Sequence, residues 1–280
     1  MNSNPLERAE AGDAGAMLQL ASVSGVAERA RWLLHAAQAE NAEALALLPA
    51  AKAELEVAAR AGDVDCQNVL GGVLLAWDED PAAAAVWFRK AAEGGNNEAR
   101  RSLGYLLIEG AGVAKDVVAA EELFRAAAGE GDVIAQYNLA ILLLDELGRP
   151  DVRDEALSLL ESAARGGVDE AAVRLGDELD AAGDANGAHR WYEAAAHAGN
   201  TDAMFAVASR YRDGIGVAVD RSQAVRWFLD MLVAHRFEGI HEIFAMGESV
   251  SDEEISRGGR IGGRLAEAEK LVEMRNAPSS

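Results

Sequence analysis

The stretch AAEGGNNEA, residues 91–99, returns in altered form four more times along the 280-residue chain. The other copies are AARAGDVDC at 58–66, AAGEGDVIA at 127–135, AARGGVDEA at 163–171 and AAHAGNTDA at 195–203. All five share an Ala-Ala pair, two variable residues and a glycine. These frame glycines are Gly62, Gly95, Gly131, Gly167 and Gly199, separated by 32 to 36 residues. A period of that length predicts a repeat protein built from one supersecondary unit.

Other positions keep a constant distance from the frame glycines. Small residues lie four and nine positions after them: Cys66, Ala99, Ala135, Ala171 and Ala203, then Gly71, Gly104, Ala140, Gly176 and Ala208. An aliphatic residue lies eight positions after: Leu70, Leu103, Leu139, Leu175 and Val207. A large residue lies eight positions before a frame glycine: Trp87, Leu123, Leu159 and Trp191. Trp227 occupies the equivalent position in the unit that follows Gly199. This pattern predicts two antiparallel helices per unit, which pack closely at the small residues and must stack to bury their apolar faces.

The joints between paired helices also recur. IEGAGVAKD (108–116) and RDGIGVAVD (212–220) share a Gly-x-Gly-Val pattern through Gly110, Gly112, Gly214 and Gly216. A phosphate-binding loop is the alternative, but a dinucleotide loop follows a strand and a P-loop requires Gly-Lys-Ser/Thr. We therefore expect hinges in which the glycines permit the turn and Val113 or Val217 enters the core. Asp80, Asp116 and Asp220 stand where helix N-caps belong, and each frame glycine suits the left-handed residue that ends a helix.

The ends of the chain are less regular. Gly12 begins a first unit, and the next unit is compressed, with Pro49 predicted to separate two short helices. Ser251 and Glu254 form a capping box that opens a last helix. SRGGRIGGR (256–264) is predicted to be a hinge or a weakened helix, with contact to RNA or an acidic partner as the alternative. The expected boundaries are a tail at 1–8, about seven helix pairs at 9–247, a capping helical segment at 248–276 and a tail at 277–280.

These motifs resemble the Sel-one-like repeat family, which is related to the tetratricopeptide repeats. Residues 95–128 match through Gly95, Ala99, Leu103-Gly104, Gly110 to Val113 and Asp116, and residues 199–228 match similarly through Trp227-Phe228. Units at 62, 131 and 167 depart by replacing the Gly-x-Gly-Val joint. The resemblance covers about 9–247 and implies an all-α, right-handed α/α superhelical solenoid. It also implies an adaptor or scaffold that binds proteins.

The charge balance restricts the class of partner. A net charge of −21 and a pI near 4.6 disfavour nucleic acid and anionic membranes and favour a protein or peptide partner, which could be basic. Solubility alone is the other explanation of the acidic surface. The N-terminal residues lack a signal-peptide pattern, and no apolar run is long enough to span a bilayer. We therefore expect a cytoplasmic protein.

Candidate chemical groups are few. Cys66 replaces alanine at a small-residue position and is interpreted as a buried hydrophobe. His35, His189, His197, His235 and His241 show no metal-binding spacing, and no nucleophile has a recognisable base. We expect no catalytic residues, no metal and no cofactor.

A partner-binding groove is expected along the first helix of each pair, by similarity to tetratricopeptide repeats. Positions six, ten and thirteen residues after the frame glycines should face it, and Leu75 is among them. The expected groove residues are Asn68, Arg101, Tyr105, Tyr137, Ile141, Asp177, Phe205, Ser209 and Arg212. Ordinary core packing is the alternative for Ile141 and Phe205. The predicted function is a non-enzymatic adaptor, and the alternative is an acidic inhibitor, immunity or chaperone-like protein that masks a basic target. The oligomeric state is left open.

Overall fold

A computed structural model describes residues 4–146, 152–234 and 236–277, in two compact units, Met1–Leu142 and Leu143–Ser280. Across these ranges the regular structure is helical, with seventeen α-helices and no strand. The predicted all-α class is confirmed. Two parts of the sequence prediction lie outside the described residues. They are His235 and residues 147–151, which form most of the predicted joint of the unit that begins at Gly131.

Unit 1 consists of consecutive antiparallel helices. They are α1 (Pro5–Glu10), α2 (Ala14–Val23), α3 (Val26–Gln38), α4 (Ala42–Arg60), α5 (Val64–Ala76), α6 (Pro81–Glu93), α7 (Asn97–Glu109), α8 (Val117–Gly129) and α9 (Val133–Ile141). A π-helical turn, Leu142–Glu146, extends α9. The short helix α1 includes residues expected to be a tail, and its Ala9 is buried in the core formed with α2 to α5.

Unit 2 continues the helix pairs. It contains α10 (Arg153–Arg165), α11 (Asp169–Ala181), α12 (Ala185–His197), α13 (Thr201–Asp213), α14 (Arg221–Asp230), α15 (Glu238–Ala245), α16 (Asp252–Ile261) and α17 (Leu265–Asn276). Its core is contiguous and centres on fully buried Trp227, Phe228 and Ile243.

The frame glycines end helices as predicted. All five have φ between 88° and 103°, a conformation that glycine adopts without the steric cost of a Cβ atom. After four of the five, the next residue caps the following helix: the side chains of Asp63, Asn96, Asp132 and Asn200 accept the backbone N–H three residues on at 2.8–2.9 Å. Val168, after Gly167, has no side-chain cap. The frame therefore encodes one helix stop and one helix start.

The second helix of each pair carries two adjacent large residues. Trp87, Leu123, Leu159 and Trp191, eight before their frame glycines, are half-buried, whereas Trp227 is fully buried. The next position is buried in every unit, and it holds Phe88, Phe124, Leu160, Tyr192 and Phe228. Rings at this position lie against the small residue nine after the preceding frame glycine, as Phe124 lies against Gly104.

Pro49 does not break α4, contrary to the sequence prediction. The helix runs without interruption through it, and Pro49 itself faces solvent. A proline inside a helix removes one hydrogen bond and costs about 3 kcal/mol, but α4 buries a continuous face of Ala44, Leu48, Ala51, Leu55 and Ala59. Burial of that face outweighs the local cost, so one helix stands where a compressed pair was expected.

The C-terminal segment contains two helices, α16 and α17. The predicted capping box is confirmed, because Ser251 and Glu254 exchange side-chain-to-backbone hydrogen bonds. The stretch 256–264, predicted to be a hinge or a weakened helix, is helical as far as Ile261. Gly258 and Gly259 lie inside α16, where a Cβ atom would collide with Ser222 and Val225 of α14 or with Ala268 of α17. Only the last glycines form a turn, with φ of 70° at Gly263.

The Gly-x-Gly joints have the predicted role. Gly110 and Gly214 end α7 and α13 in the left-handed conformation. The second glycine also permits a close approach: a Cβ on Gly112 would come within 2.3 Å of the backbone of Ala82, at the start of α6. Asp116 and Asp220 then cap α8 and α14. The Gly-x-Gly-Val pattern is therefore a structural joint.

Candidate partner-binding surface

A cleft of about 290 Å³ lies between α3, α5 and α7 of unit 1. We call it the unit 1 cleft. Its apolar lining comes from Leu34, Val69, Leu75, Ala76 and Phe88, and its polar lining from Arg31, His35, Gln38, Asn68, Glu98 and Ser102. The guanidinium of Arg31 donates to the carboxylate of Glu98 at 3.1 Å, which links α3 to α7.

Asn68, one of the predicted groove residues, lies in this cleft. Its side chain is only 3% exposed. Its Oδ1 atom is buried and accepts no hydrogen bond within the part of the chain that the structure describes. An unsatisfied buried polar group costs about 1–3 kcal/mol, so the position of this amide calls for an explanation beyond packing.

The contribution of α3 to the cleft was missed by the sequence prediction. The sequence makes α3 the second helix of its pair, because it carries Trp32 and the Ala36-Ala37 pair. Since α4 is a single helix, α3 and α5 both pack against it and also contact each other. The chain runs in the same direction in α3 and α5, and α3 therefore shares a surface with the first helices. The short distance from Ala36-Ala37 to Ala58-Ala59 was the available signal.

Arg101 and Tyr105 on α7 bond to the next repeat. The guanidinium of Arg101 lies 2.7 and 2.6 Å from the two carboxylate oxygens of Asp132. The Tyr105 hydroxyl donates to Asn138 Oδ1 at 2.9 Å, and its ring packs edge-on against Phe124 at a centroid distance of 5.9 Å. Tyr105 nevertheless remains 51% exposed. These residues therefore link repeats and still present a surface.

Tyr137 and Ile141 lie on α9, the last α-helix of unit 1. Both side chains are half-buried. Neither lines the unit 1 cleft.

Asp177 in unit 2 belongs to a network that joins two helix pairs. It accepts a 2.6 Å hydrogen bond from the hydroxyl of Tyr192. Nearby, Arg210 contacts both carboxylate oxygens of Asp180 at 2.6 and 2.8 Å and donates to the carbonyl of Ala185 at 2.8 Å. Burial, followed by the hydrogen bond to Asp177, raises the pKa of the Tyr192 phenol well above its usual value. The phenol therefore remains a hydrogen-bond donor at neutral pH.

The remaining predicted groove residues lie on α13. Phe205 is 38% exposed, and its ring packs edge-on against Phe228 at 5.9 Å. Ser209 is half-buried, and its Oγ atom has no hydrogen-bond partner among the described residues. Arg212 pairs with Asp213 at 2.8 Å and with Glu242 of α15 at 2.6 Å. Phe205 is thus the exposed apolar residue of this helix.

The surroundings of His189 and Cys66 also shift the pKa values of these side chains. Burial lowers the pKa of His189, whose ring packs edge-on against Tyr211 at 5.0 Å. Burial raises the pKa of the Cys66 thiol to about 11, so the thiol is protonated and unreactive. Over residues 4–146, 152–234 and 236–277, no three His, Cys, Asp or Glu side chains converge as a metal site requires.

None of the helices in the described ranges is both long and apolar enough to cross a bilayer.

The chain is similar to proteins of one repeat family. The Sel1 repeat matches residues 72–96, 97–132, 133–168, 170–200 and 201–229, together more than half of the chain. No curated protein matches.

Two solved structures show the same fold. A protective antigen of uropathogenic Escherichia coli that displays an SLR fold is 24% identical with a TM-score of 0.66, and the alignment covers 99% of this chain but only 66% of that antigen. A Sel1 repeat protein from Oxalobacter formigenes is 20% identical with a TM-score of 0.58, over 96% of this chain and 98% of the other.

The repeat match and the helix-pair architecture agree with the resemblance found in the sequence. The chain belongs to the Sel1 repeat family, whose repeats are in general protein–protein interaction modules.

Proposed function

We propose that the protein is a non-enzymatic adaptor that binds a protein or peptide partner through the exposed faces of its first helices. The observation that carries the proposal is a set of large apolar side chains on these helices that remain more than a third exposed. Leu75 on α5, Tyr105 on α7 and Phe205 on α13 are 37%, 51% and 38% exposed. Aromatic residues of this kind are enriched at protein interfaces and bind strongly when they are desolvated.

Structural explanations for the shifted groups support a non-enzymatic role. Burial and the hydrogen bond to Asp177 raise the pKa of the Tyr192 phenol. Burial lowers the pKa of His189 and raises the pKa of Cys66. A catalytic group would instead combine a shifted pKa with an accessible cleft and a nearby partner.

Site-specific photocrosslinking tests this proposal. A benzophenone amino acid is placed at Tyr105 or Phe205 in the full chain and irradiated in the host. Matched controls are placed at Val118 and Val86, which are comparably exposed but lie on the second helices α8 and α6. We expect one partner to crosslink at both first-helix positions. Equal crosslinking from Val118 and Val86, or none from any position, would contradict the proposal.

The charge supports a second candidate function, masking of a basic target by an acidic inhibitor, immunity or chaperone-like protein. With 47 acidic and 26 basic residues, most carboxylates in excess must face solvent or a partner. Affinity for a basic target should then fall steeply as salt is raised, because exposed charges are screened over about 8–10 Å. Apolar binding through the first helices predicts little salt dependence. Titration of the crosslinked partner at low and high ionic strength separates the two candidates.

A further inference from the structure

The unit 1 cleft holds a polar atom that the fold leaves unused. Asn68 Oδ1 is buried and lacks a hydrogen-bond donor among the described residues, although Asn68 lines an open cleft. Leu34 and Val69 beside it are also buried. A buried acceptor without a donor is costly when empty and selective when a donor enters.

Gly72 makes the cleft wide enough for a bound group. It lines the cleft in the middle of α5, where glycine is less favourable than alanine by about 0.5–1 kcal/mol. A Cβ atom at this position would meet nothing within 4 Å. Its neighbour Gly71 is different, because a Cβ there would collide with Phe88 at 2.6 Å. Helix packing therefore requires Gly71 but does not require Gly72.

We propose that the unit 1 cleft binds an extended peptide of a partner protein, with one large apolar side chain in the cleft and a peptide N–H donating to Asn68 Oδ1. The inference deepens the adaptor function proposed above and rests on it. A cleft of about 290 Å³ lies at the lower limit for small-molecule pockets, and it suits one large side chain with its flanking backbone.

Acidic residues that follow two of the helices lining the cleft define a further feature of the peptide. Glu40 follows α3 and Glu79 follows α5, and these are the described non-glycine residues with positive φ, at 58° and 53°. Because α3 and α5 run in the same direction, both exposed carboxylates lie at the edge where the two helices end. Helix C-termini also carry partial negative charge. A lysine or arginine beside the apolar anchor complements this edge.

A random peptide display library selected against the purified full chain tests the proposal. We expect enriched peptides to share a large apolar residue with a neighbouring lysine or arginine. Synthetic copies should bind Gly72→Leu about tenfold or more weakly, because the anchor can no longer be buried. They should bind Asn68→Leu about three- to tenfold more weakly, since one hydrogen bond is lost. Gly72→Ala should give an intermediate loss if the larger substitution impairs folding.

Matched variants separate the cleft from general effects. Gly129→Leu alters a helical glycine whose Cβ would also meet nothing within 4 Å but which lies outside the cleft, and it should bind normally. Glu40→Gln combined with Glu79→Gln should weaken peptides with the basic residue and spare those without it. Circular dichroism melting confirms that each variant is folded.

The possible outcomes distinguish this inference from the adaptor function. Peptides that bind the wild type and Gly72→Leu equally would overturn the cleft inference while leaving a protein-binding role intact. A selection with no enriched peptide would also overturn it. Failure of the photocrosslinking experiment would instead remove the adaptor function itself.

Discussion

Phe88 packs directly over the backbone of Gly71, so that a Cβ atom added to the glycine would lie 2.6 Å from Cε1 of the ring. The same arrangement joins Gly104 to Phe124 at 2.5 Å and Gly176 to Tyr192 at 2.8 Å. Each pair connects the first helix of a repeat to its second helix. In these three repeats the glycine therefore leaves room for the ring, whereas Ala140 and Ala208 occupy the position in the other two.

Alanine substitutions at the adjacent residues Gly71 and Gly72 should have opposite effects. Gly71→Ala must displace the buried Phe88 ring, and overpacking of a core typically costs about 1–3 kcal/mol. Gly72→Ala meets open space and should raise the free energy of unfolding by about 0.5–1 kcal/mol through helix propensity. Urea denaturation followed by circular dichroism measures both changes. Equal destabilisation by the two variants would contradict the packing argument.

The sequence alone did not show which of two adjacent large residues on the second helix is buried opposite Gly71. Adjacent residues on a helix point about 100° apart, so the recurrence of large side chains at both positions does not show which one is buried. The glycines nine after the frame resolve the choice only once the paired helix is in place. Helix ends were predictable, by contrast, because glycine with positive φ and an Asp or Asn cap act locally.

The unit 1 cleft was only partly predictable for a physical reason. Asn68 and Leu75 were found from their register on α5, but Arg31 and His35 were not, because α3 faces the cleft only when α4 remains one helix. Whether α4 remains one helix depends on long-range packing, because the burial of one face of α4 must outweigh the local cost of Pro49. Arg101 shows a second limit, because its register on α7 was predicted but its pairing with Asp132 depends on the next repeat.

Gly112→Ala should be much more damaging than Gly131→Ala. Both glycines have positive φ, so each substitution incurs the steric cost of the left-handed conformation, about 1–2 kcal/mol. At Gly112 the added Cβ also comes within 2.3 Å of backbone atoms at the start of α6, whereas at Gly131 it meets nothing within 4 Å. We expect a loss of about 3 kcal/mol or more for Gly112→Ala, measured by chemical denaturation. Similar losses at the two positions would show that the joint can relax.

Glu40→Gly should stabilise unit 1. Glu40 occupies the place of a frame glycine after Ala36-Ala37 and holds a φ of 58°. Replacement by glycine removes the strain of the left-handed conformation and should raise the free energy of unfolding by about 0.5–1 kcal/mol, net of glycine's greater entropy in the unfolded chain. Glu40→Ala is the matched control, because it removes the charge and keeps the strain. Thermal melting that shows equal stabilisation by both variants would point to charge as the cause.

The stability of unit 2 should depend on pH through His189. Its side chain is buried, its Nδ1 atom has no partner among the described residues, and burial lowers its pKa below the ordinary value of 6.5. Of the charged groups facing the ring, Glu193 opposes this shift and Arg210 adds to it.

The unfolded chain binds a proton at His189 more readily than the folded chain does, so the stability associated with neutral His189 is complete above pH 6.5 and decreases as pH falls towards the lowered folded pKa. His189→Phe should reduce this loss between pH 7 and the acidic range, because phenylalanine keeps the contact with Tyr211 and does not titrate. His241→Phe, at an exposed position, should leave the pH dependence of thermal unfolding unchanged. A His189→Phe profile parallel to that of the wild type would assign the acid sensitivity to other groups.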